Sequence, residues 1–135
     1  MLLDLLRENY NNMKSILKNW DKFLAEAERA GRDMSYVQRV YEVVARLKIR
    51  KSTGGDREQT FTEIRGVPGV TVVNVDPAGT SRDETNYYST LNIKFELVGN
   101  ADALLYRRTI LIPGIRKIKG CEVRYVSAIK DLGER

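Results

Sequence analysis

Basic side chains recur at every second position of residues 46–50. Arg46, Lys48 and Arg50 alternate there with leucine and isoleucine, which is the two-residue period of a strand with one dry and one wet face. Guanidinium and ammonium groups on such a face can hold phosphate groups. The same alternation in the segments NIKFELV and CEVRYV adds two more cations, so the candidate nucleic-acid-binding residues are Arg46, Lys48, Arg50, Lys94 and Arg124.

The sequence does not support catalysis by histidine or by a reactive thiol. The chain has no histidine, which excludes histidine-based triads and zinc sites with histidine ligands. Cys121 is the single cysteine, and its place in the repeat described below favours a small buried apolar side chain. Asp76, Asp83 and Glu84 crowd one polar segment, but their spacing matches no calcium loop. We therefore expect a protein that is not an enzyme and that has no cofactor and no metal.

The composition predicts one folded domain with a basic surface. The chain has 135 residues, of which 42% are hydrophobic and 30% are charged, as in ordinary globular proteins. Its net charge of +5 favours nucleic acid or an acidic protein surface as partner. No apolar run approaches the roughly 20 residues of a membrane helix, and charged residues interrupt the start of the chain, where a signal peptide needs an apolar stretch. We expect no membrane partner and a location in the cytoplasm or in a particle assembled there.

The chain begins with the pattern of a long amphipathic helix. Apolar residues follow one another at alternating steps of three and four, which is the period of a coiled-coil seam. A helix of residues 1–31, ending at Gly31, would span about 42 Å at about 1.5 Å per residue, more than the sheet of a small domain. We interpret it as an assembly element, with packing across its own domain as the alternative. The predicted interface residues are Leu3, Leu6, Tyr10, Met13, Leu17, Trp20 and Leu24.

Residues 36–135 read as a domain of alternating strands and helices. Residues 34–43 fit a helix or a strand, whereas residues 47–51 indicate a strand. A helix over residues 56–67 ends at Pro68 and Gly69, and a valine-rich strand follows it. We expect residues 77–86 to form a polar loop and residues 91–97 to form a strand. A helix capped by Asn100 and kinked at Pro113 comes next, with Leu104, Leu111, Ile115 and Ile118 on one side, then a last strand from Cys121 and a loose charged tail.

Two stretches of the domain repeat one phrase. Residues 64–75 read IRGVPGVTVVNV and residues 115–126 read IRKIKGCEVRYV, so Gly69 aligns with Gly120 and Val70 with Cys121. Each copy places a helix end, a turn glycine and a strand in succession. The order strand, helix, strand, strand, helix, strand follows from it. Two such βαβ units give a four-stranded antiparallel sheet with both helices on one face.

This pattern resembles the ferredoxin-like fold over residues 40–130. The resemblance implies an α+β domain, βαββαβ, with strand order 4-1-3-2, in which the strands ending near Arg50 and Leu97 are central neighbours. The phrase IRGVPGVTVV is also similar to the helix-to-strand junction of ACT-type ligand-binding modules. That likeness implies a small-ligand site at Gly54 and Gly55. The whole chain is similar to small uncharacterised proteins of tailed bacteriophages.

One face of such a sheet is left for a partner. By alternation, the five basic residues named above share that face with Tyr88, Thr90, Val73 and Val75. A basic sheet with a tyrosine on it is similar to RNA-recognition modules, although those carry several aromatics on the two central strands, and Phe95 has the buried parity here. The leading hypothesis is a non-enzymatic structural or assembly protein, a component of a phage virion, that joins copies of itself or docks on a larger complex. The alternatives are a nucleic-acid-binding module and an ACT-like small-ligand regulatory module.

Overall fold

One antiparallel sheet organises the chain. The structure is a computed structural model that describes residues 14–26, 38–51, 57–98 and 101–135. The segments that form strands are rich in valine, isoleucine and tyrosine, which are residues that favour strands. The strands are β1 (Gln38–Arg50), β2 (Val70–Arg82), β3 (Asn86–Val98), β4 (Cys121–Val126) and β5 (Lys130–Glu134).

Helical segments lie before, between and after these strands. The helix of residues 14–26 is α1. The helix α2 is Arg57–Arg65, which connects β1 to β2. A continuous helical region between β3 and β4 consists of α3 (Ala103–Tyr106), a π-helical segment (Arg107–Leu111) and α4 (Ile112–Arg116).

The strand order in the sheet is β2-β3-β1-β4, and β5 also pairs with β1. β1 and β3 pair along their whole length, from Gln38 opposite Val98 to Arg50 opposite Asn86. The prediction that these two strands are central neighbours is therefore confirmed. Within the described residues the sheet has five strands rather than the predicted four, and the second helical region contains a π-helical segment, so the element order is not a plain βαββαβ.

The core lies between the sheet and the helices, which makes the protein a two-layer α+β domain. Every second residue from Val43 to Ile49 of β1 and from Ser89 to Leu97 of β3 points into this core and is buried, as strand alternation requires. The sheet contributes Val43, Ala45, Leu47, Ile49, Leu91, Ile93, Phe95 and Leu97, and the helices contribute Phe23, Phe61, Ile64, Tyr106, Ile110, Leu111 and Ile115.

The repeated phrase forms the same junction twice. In the first copy, the Val67 amide donates to the Ile64 carbonyl and the Val70 amide donates to the Val67 carbonyl. In the second copy the aligned residues make the same two bonds, from Ile118 to Ile115 and from Cys121 to Ile118. Both glycines have positive φ, 90° at Gly69 and 74° at Gly120, a conformation that disfavours side chains with a Cβ. The predicted helix-to-strand junction is confirmed.

The structure describes part of the predicted N-terminal helix. Residues 14–26 are helical and span about 20 Å, and the rest of the predicted span, 1–13 and 27–31, lies outside the described residues. The apolar face of α1 packs on the core, since Trp20 stacks on Phe23 with ring centroids 5.6 Å apart and meets Tyr106 edge-on at 5.9 Å. Four predicted interface residues, Leu3, Leu6, Tyr10 and Met13, lie outside the described residues.

The predicted polar loop of residues 77–86 is wrong, because β2 and β3 form one long hairpin. β2 continues to Arg82, and a tight turn at Asp83 leads into β3. The pairing shifts between Asp76 and Ser81, which places Pro77 in a bulge where its missing amide costs no ladder bond. The prediction failed because a hairpin arm rich in Pro, Gly, Ser and Thr has the composition of a loop.

The second helical region is capped at Asp102, and it buries other side chains than the sequence predicted. Asp102 caps it, because the Asp102 carboxylate accepts from the Leu104 and Leu105 amides at 3.0 and 3.2 Å. The predicted cap, Asn100, lies outside the described residues. The π-helical turn before Pro113 holds one residue more than an α-helical turn and rotates the preceding residues about the axis. As a result Leu104 is 68% exposed and Tyr106 takes the core position.

The charged tail is a strand and not a loose end. β5 pairs with the first half of β1, with Arg39 opposite Glu134 and Glu42 opposite Lys130. The Arg39 guanidinium lies 2.9 Å from the Asp131 carboxylate. β5 pairs there because β4 covers only residues 45–49 of β1 and leaves the rest of that edge unpaired.

Candidate nucleic-acid interface

The sheet face opposite the core is not covered by any described element, and we call it the open face. It carries Arg46 and Lys48 of β1, and Thr90 and Lys94 of β3. The prediction that Val73 and Val75 lie here is wrong. Val73 is buried in the core and Val75 packs against it, because a register shift between Val70 and Val72 reverses the parity of β2.

An irregularity in β4 places two neighbouring side chains on the open face. Tyr125 pairs with Arg46 and Val123 pairs with Leu47, so Arg124 is an extra residue in the ladder. Such a bulge re-aims side chains that simple alternation would send to opposite faces. The Arg46 guanidinium carbon lies 5.5 Å from the centroid of the Tyr125 ring, and that of Arg124 lies 5.8 Å from the centroid of the Tyr88 ring. Two arginine–tyrosine pairs therefore lie on the open face.

The Tyr88 ring is held in place by the hairpin turn. Its hydroxyl donates to the Asp83 carboxylate at 3.0 Å. The same carboxylate accepts the backbone amides of Thr85 and Asn86 at 2.8 and 2.7 Å. These backbone hydrogen bonds lower the pKa of Asp83 to about 2, so the carboxylate is ionised. The hydrogen bond to Asp83 also raises the pKa of Tyr88, which keeps its hydroxyl protonated.

A shallow cavity of about 450 Å³ lies between the two arginine–tyrosine pairs. The bulged part of β2 forms one wall. Gly79 permits this wall to approach β3, because a Cβ at Gly79 would lie 2.5 Å from the Thr90 side chain. The cavity is lined by Arg46, Gly79, Ser81, Tyr88, Ser89, Thr90, Arg124 and Tyr125.

The five predicted basic residues do not form one cluster. Arg46 and Arg124 line the cavity. Lys48 is next to it and pairs in the ladders with Tyr88 and with Glu122. Arg50 lies at the end of the sheet, and Lys94 pairs with Glu42, four residues and about 13 Å along β1 from Arg46. The positive charge is therefore concentrated toward the Arg50 end of the open face.

Tyr125 also lies on the open face, and it was not predicted from the sequence. Strict alternation gives Tyr125 the core-facing parity if Arg124 faces outward, because neighbouring strand residues point to opposite sides. The bulge breaks that rule, and no signal in the sequence of β4 marks the bulge. With Tyr125 included, the open face carries two tyrosines, one on the central strand β3 and one on β4.

The other candidate residues within the described ranges have structural roles. Burial raises the pKa of the Cys121 thiol to about 12, so the reactive thiolate is scarce at neutral pH. Asp76 accepts the Ala78 amide at 3.0 Å and Asp83 caps the hairpin turn. Across the described ranges, no group of three potential metal ligands occurs. Gly54 and Gly55, the glycines of the ACT-type resemblance, lie outside the described residues.

The predicted assembly residues within α1 divide between core and surface. Trp20 and Leu24 pack against the chain's own core. Leu17 is 48% exposed. Within the part of α1 that the structure describes, the seam thus leaves one large apolar side chain at the surface.

No protein-family model and no curated protein matches the sequence. Among the helices of the described residues, none combines the length and apolar character needed to span a membrane.

Proposed function

We propose that this chain is a non-enzymatic module that binds single-stranded nucleic acid on the open face of its sheet. The observation that carries the proposal is the pair of arginine–tyrosine contacts, Arg46 with Tyr125 and Arg124 with Tyr88, on either side of one cavity. Tyrosine rings and guanidinium planes are the surfaces on which unstacked bases pack. Lys48 and Arg50 supply cations for the phosphates beside them.

The geometry favours a single strand over a duplex. The bases of a duplex stack on one another and cannot reach a flat sheet, whereas a single strand presents the faces of its bases. Each base stacked on an aromatic side chain contributes about 1–3 kcal/mol. Two platforms and two to four phosphate contacts are sufficient for salt-dependent binding without recognition of base edges.

Removing the two arginines tests this proposal. The variant Arg46→Gln, Arg124→Gln leaves both tyrosines in place and takes away two charges. The control variant Arg65→Gln, Arg108→Gln loses the same charge from exposed helical positions that do not line the cavity. Titration of a labelled oligothymidylate is followed by fluorescence anisotropy. We expect the first variant to bind about 10-fold or more weakly than the control. Equal affinities of the two variants would exclude the open face as the binding surface.

We further propose that the domain is a divergent ferredoxin-like domain. The sheet order β4-β1-β3-β2, read from the other edge, has the strand sequence of that fold, and α2 and α3–α4 occupy the two connections. β5 and the π-helical segment are additions to it. An experimental structure with α2 and α4 on opposite faces of the sheet would exclude this assignment.

Assembly through the N-terminal segment is a second proposal, favoured by the exposed Leu17. Leu17 continues the seam of Leu3, Leu6, Tyr10 and Met13, and it is not used by the core in the described structure. In this proposal the protein joins copies of itself or a larger complex, such as a phage virion. Light scattering on the protein and on Leu17→Asp tests it. An oligomer that becomes a monomer in the variant supports assembly, and a monomeric parent protein excludes self-assembly.

A further inference from the structure

A second cavity lies at the end of the sheet next to Arg50. Its volume is about 550 Å³, and it is formed by the junction between α4 and β4, the second copy of the repeated phrase. The junction folds back here because Gly120 adopts positive φ and its carbonyl accepts the Arg50 amide at 2.8 Å. We call this cavity the end groove, and it is lined by Arg50, Arg116, Lys117, Ile118, Lys119, Gly120, Cys121, Glu122 and Val123.

The end groove carries an excess of positive charge. Among the described residues, four basic side chains and one carboxylate, that of Glu122, line it. Arg116 and Lys119 are exposed, and neither forms an ion pair with another described residue. Lys117 donates to the Ser15 hydroxyl at 2.6 Å, which ties the groove to α1. A concave site with this charge suits an anion with several negative groups.

The end groove is continuous with the open face. Glu122 pairs with Lys48, and Lys48 pairs with Tyr88, so one ladder rung joins the edge of the groove to the tyrosine platform. Arg46, Lys48 and Arg50 follow one another on one side of β1, over about 13 Å from the first to the last. A chain of cations therefore leads from the two tyrosines into the groove.

We infer that the end groove binds the phosphate backbone of the single strand whose bases stack on Tyr88 and Tyr125. This inference rests on the function proposed above and extends it by a second subsite. Arg116 and Lys119 contact phosphates there, and the groove is assigned no stacking, because none of the described residues that line it is aromatic. A short oligonucleotide fills the open face alone, and a longer one also enters the groove.

The length of the oligonucleotide separates the two subsites. Oligothymidylates of about 4 and about 16 nucleotides span the usual site sizes of sheet-based single-strand binders. The groove variant is Arg116→Gln, Lys119→Gln, and Arg65→Gln, Arg108→Gln is again the control. Circular dichroism confirms that each variant is folded. Affinities are measured at about 50 mM and about 200 mM salt, because the salt dependence counts phosphate contacts.

We expect the groove variant to bind the longer strand about 10-fold more weakly than the control and the shorter strand equally well. Its salt slope for the longer strand falls by about 1.4, since each phosphate contact of a single strand contributes about 0.7. If the groove variant binds both strands like the control, or loses affinity equally for both, the end groove is not a separate phosphate site. If the unmodified protein binds neither strand, the proposed function fails, and this inference fails with it.

Discussion

Replacing Gly69 by alanine tests the contact that joins the first repeat to the core. Gly69 has φ of 90°, and a Cβ there would lie 2.8 Å from the Tyr106 hydroxyl oxygen. Alanine in this backbone conformation costs about 1–2 kcal/mol, and forcing the extra methyl against a fixed side chain costs about 1–3 kcal/mol more. Tyr106 cannot give way, because it is fully buried among Trp20, Phe23 and Phe95. We therefore expect Gly69→Ala to lower the free energy of unfolding by about 2–5 kcal/mol.

Two further variants separate backbone strain from the steric clash. Gly133 also has φ of 90°, but a Cβ there meets no atom within 4 Å, so Gly133→Ala should cost about 1–2 kcal/mol from strain alone. Tyr106→Phe removes the hydroxyl, which donates to the Pro68 carbonyl, at a cost of about 1–3 kcal/mol. In the Tyr106→Phe background, the hydroxyl oxygen that would lie closest to the new Cβ of Gly69→Ala is absent. Its added cost should shrink by about 1 kcal/mol or more, as a coupling between contacting residues.

Urea denaturation measures these differences, with the fluorescence of Trp20, the one tryptophan of the chain, as probe. Because Trp20 packs on Tyr106, substitution of Tyr106 can change the tryptophan fluorescence itself. Circular dichroism therefore serves as an independent probe of the same transition. If Gly69→Ala costs no more than Gly133→Ala, or if the two changes at Gly69 and Tyr106 are additive, the proposed steric coupling is wrong.

Three other predictions concern titration, thiol access and the terminal strand. Asp83 has its pKa lowered to about 2 in the folded state, from an ordinary 3.8, so its stabilising contribution is complete above about pH 4 and is lost as the pH falls through about 2. Between about pH 4 and 2, the free energy of unfolding of Asp83→Asn should therefore fall less steeply than that of the unmodified protein. The same pH dependence in both proteins would contradict the capping role of Asp83. Cys121 lines the end groove, but burial raises its pKa to about 12, so it should react with thiol reagents much more slowly in the native protein than after unfolding, and equal labelling rates in the two states would refute this. Asp131→Asn removes the partner of Arg39, so amide exchange in β5 should accelerate while the core amides stay protected; unchanged exchange in β5 would show that the pair does not hold this strand.

The sequence predicted the elements whose signals are local. The repeat identified both helix-to-strand junctions, because a glycine with positive φ and a preceding apolar helical face are encoded within a few residues. Period-two alternation predicted the later part of β1 and most of β3, whose alternate residues are buried. The basic positions Arg46 and Lys48 on the open face follow from the same alternation.

The features that sequence analysis missed depend on pairing partners distant in the chain. β5 is polar and would not form alone, and it exists because β4 leaves one edge of β1 unpaired. Tyr125 reaches the open face through a bulge that is defined only by the register against Arg46. The regular heptad pattern of the N-terminal segment predicted an assembly element, and within residues 14–26 Trp20 and Phe23 place α1 on the core at Tyr106. A seam pattern predicts an apolar face and does not identify what covers it.

The most direct test of the central claim is the binding of a labelled oligothymidylate of about 16 nucleotides by the unmodified protein, measured at about 50 and about 200 mM salt with unlabelled duplex as competitor. We expect binding at the lower salt concentration, a steep loss of affinity at the higher one, and displacement by single-stranded competitor at lower concentrations than by duplex. Absence of binding at about 50 mM salt, or equal competition by duplex, would contradict the assignment of the open face to single-stranded nucleic acid.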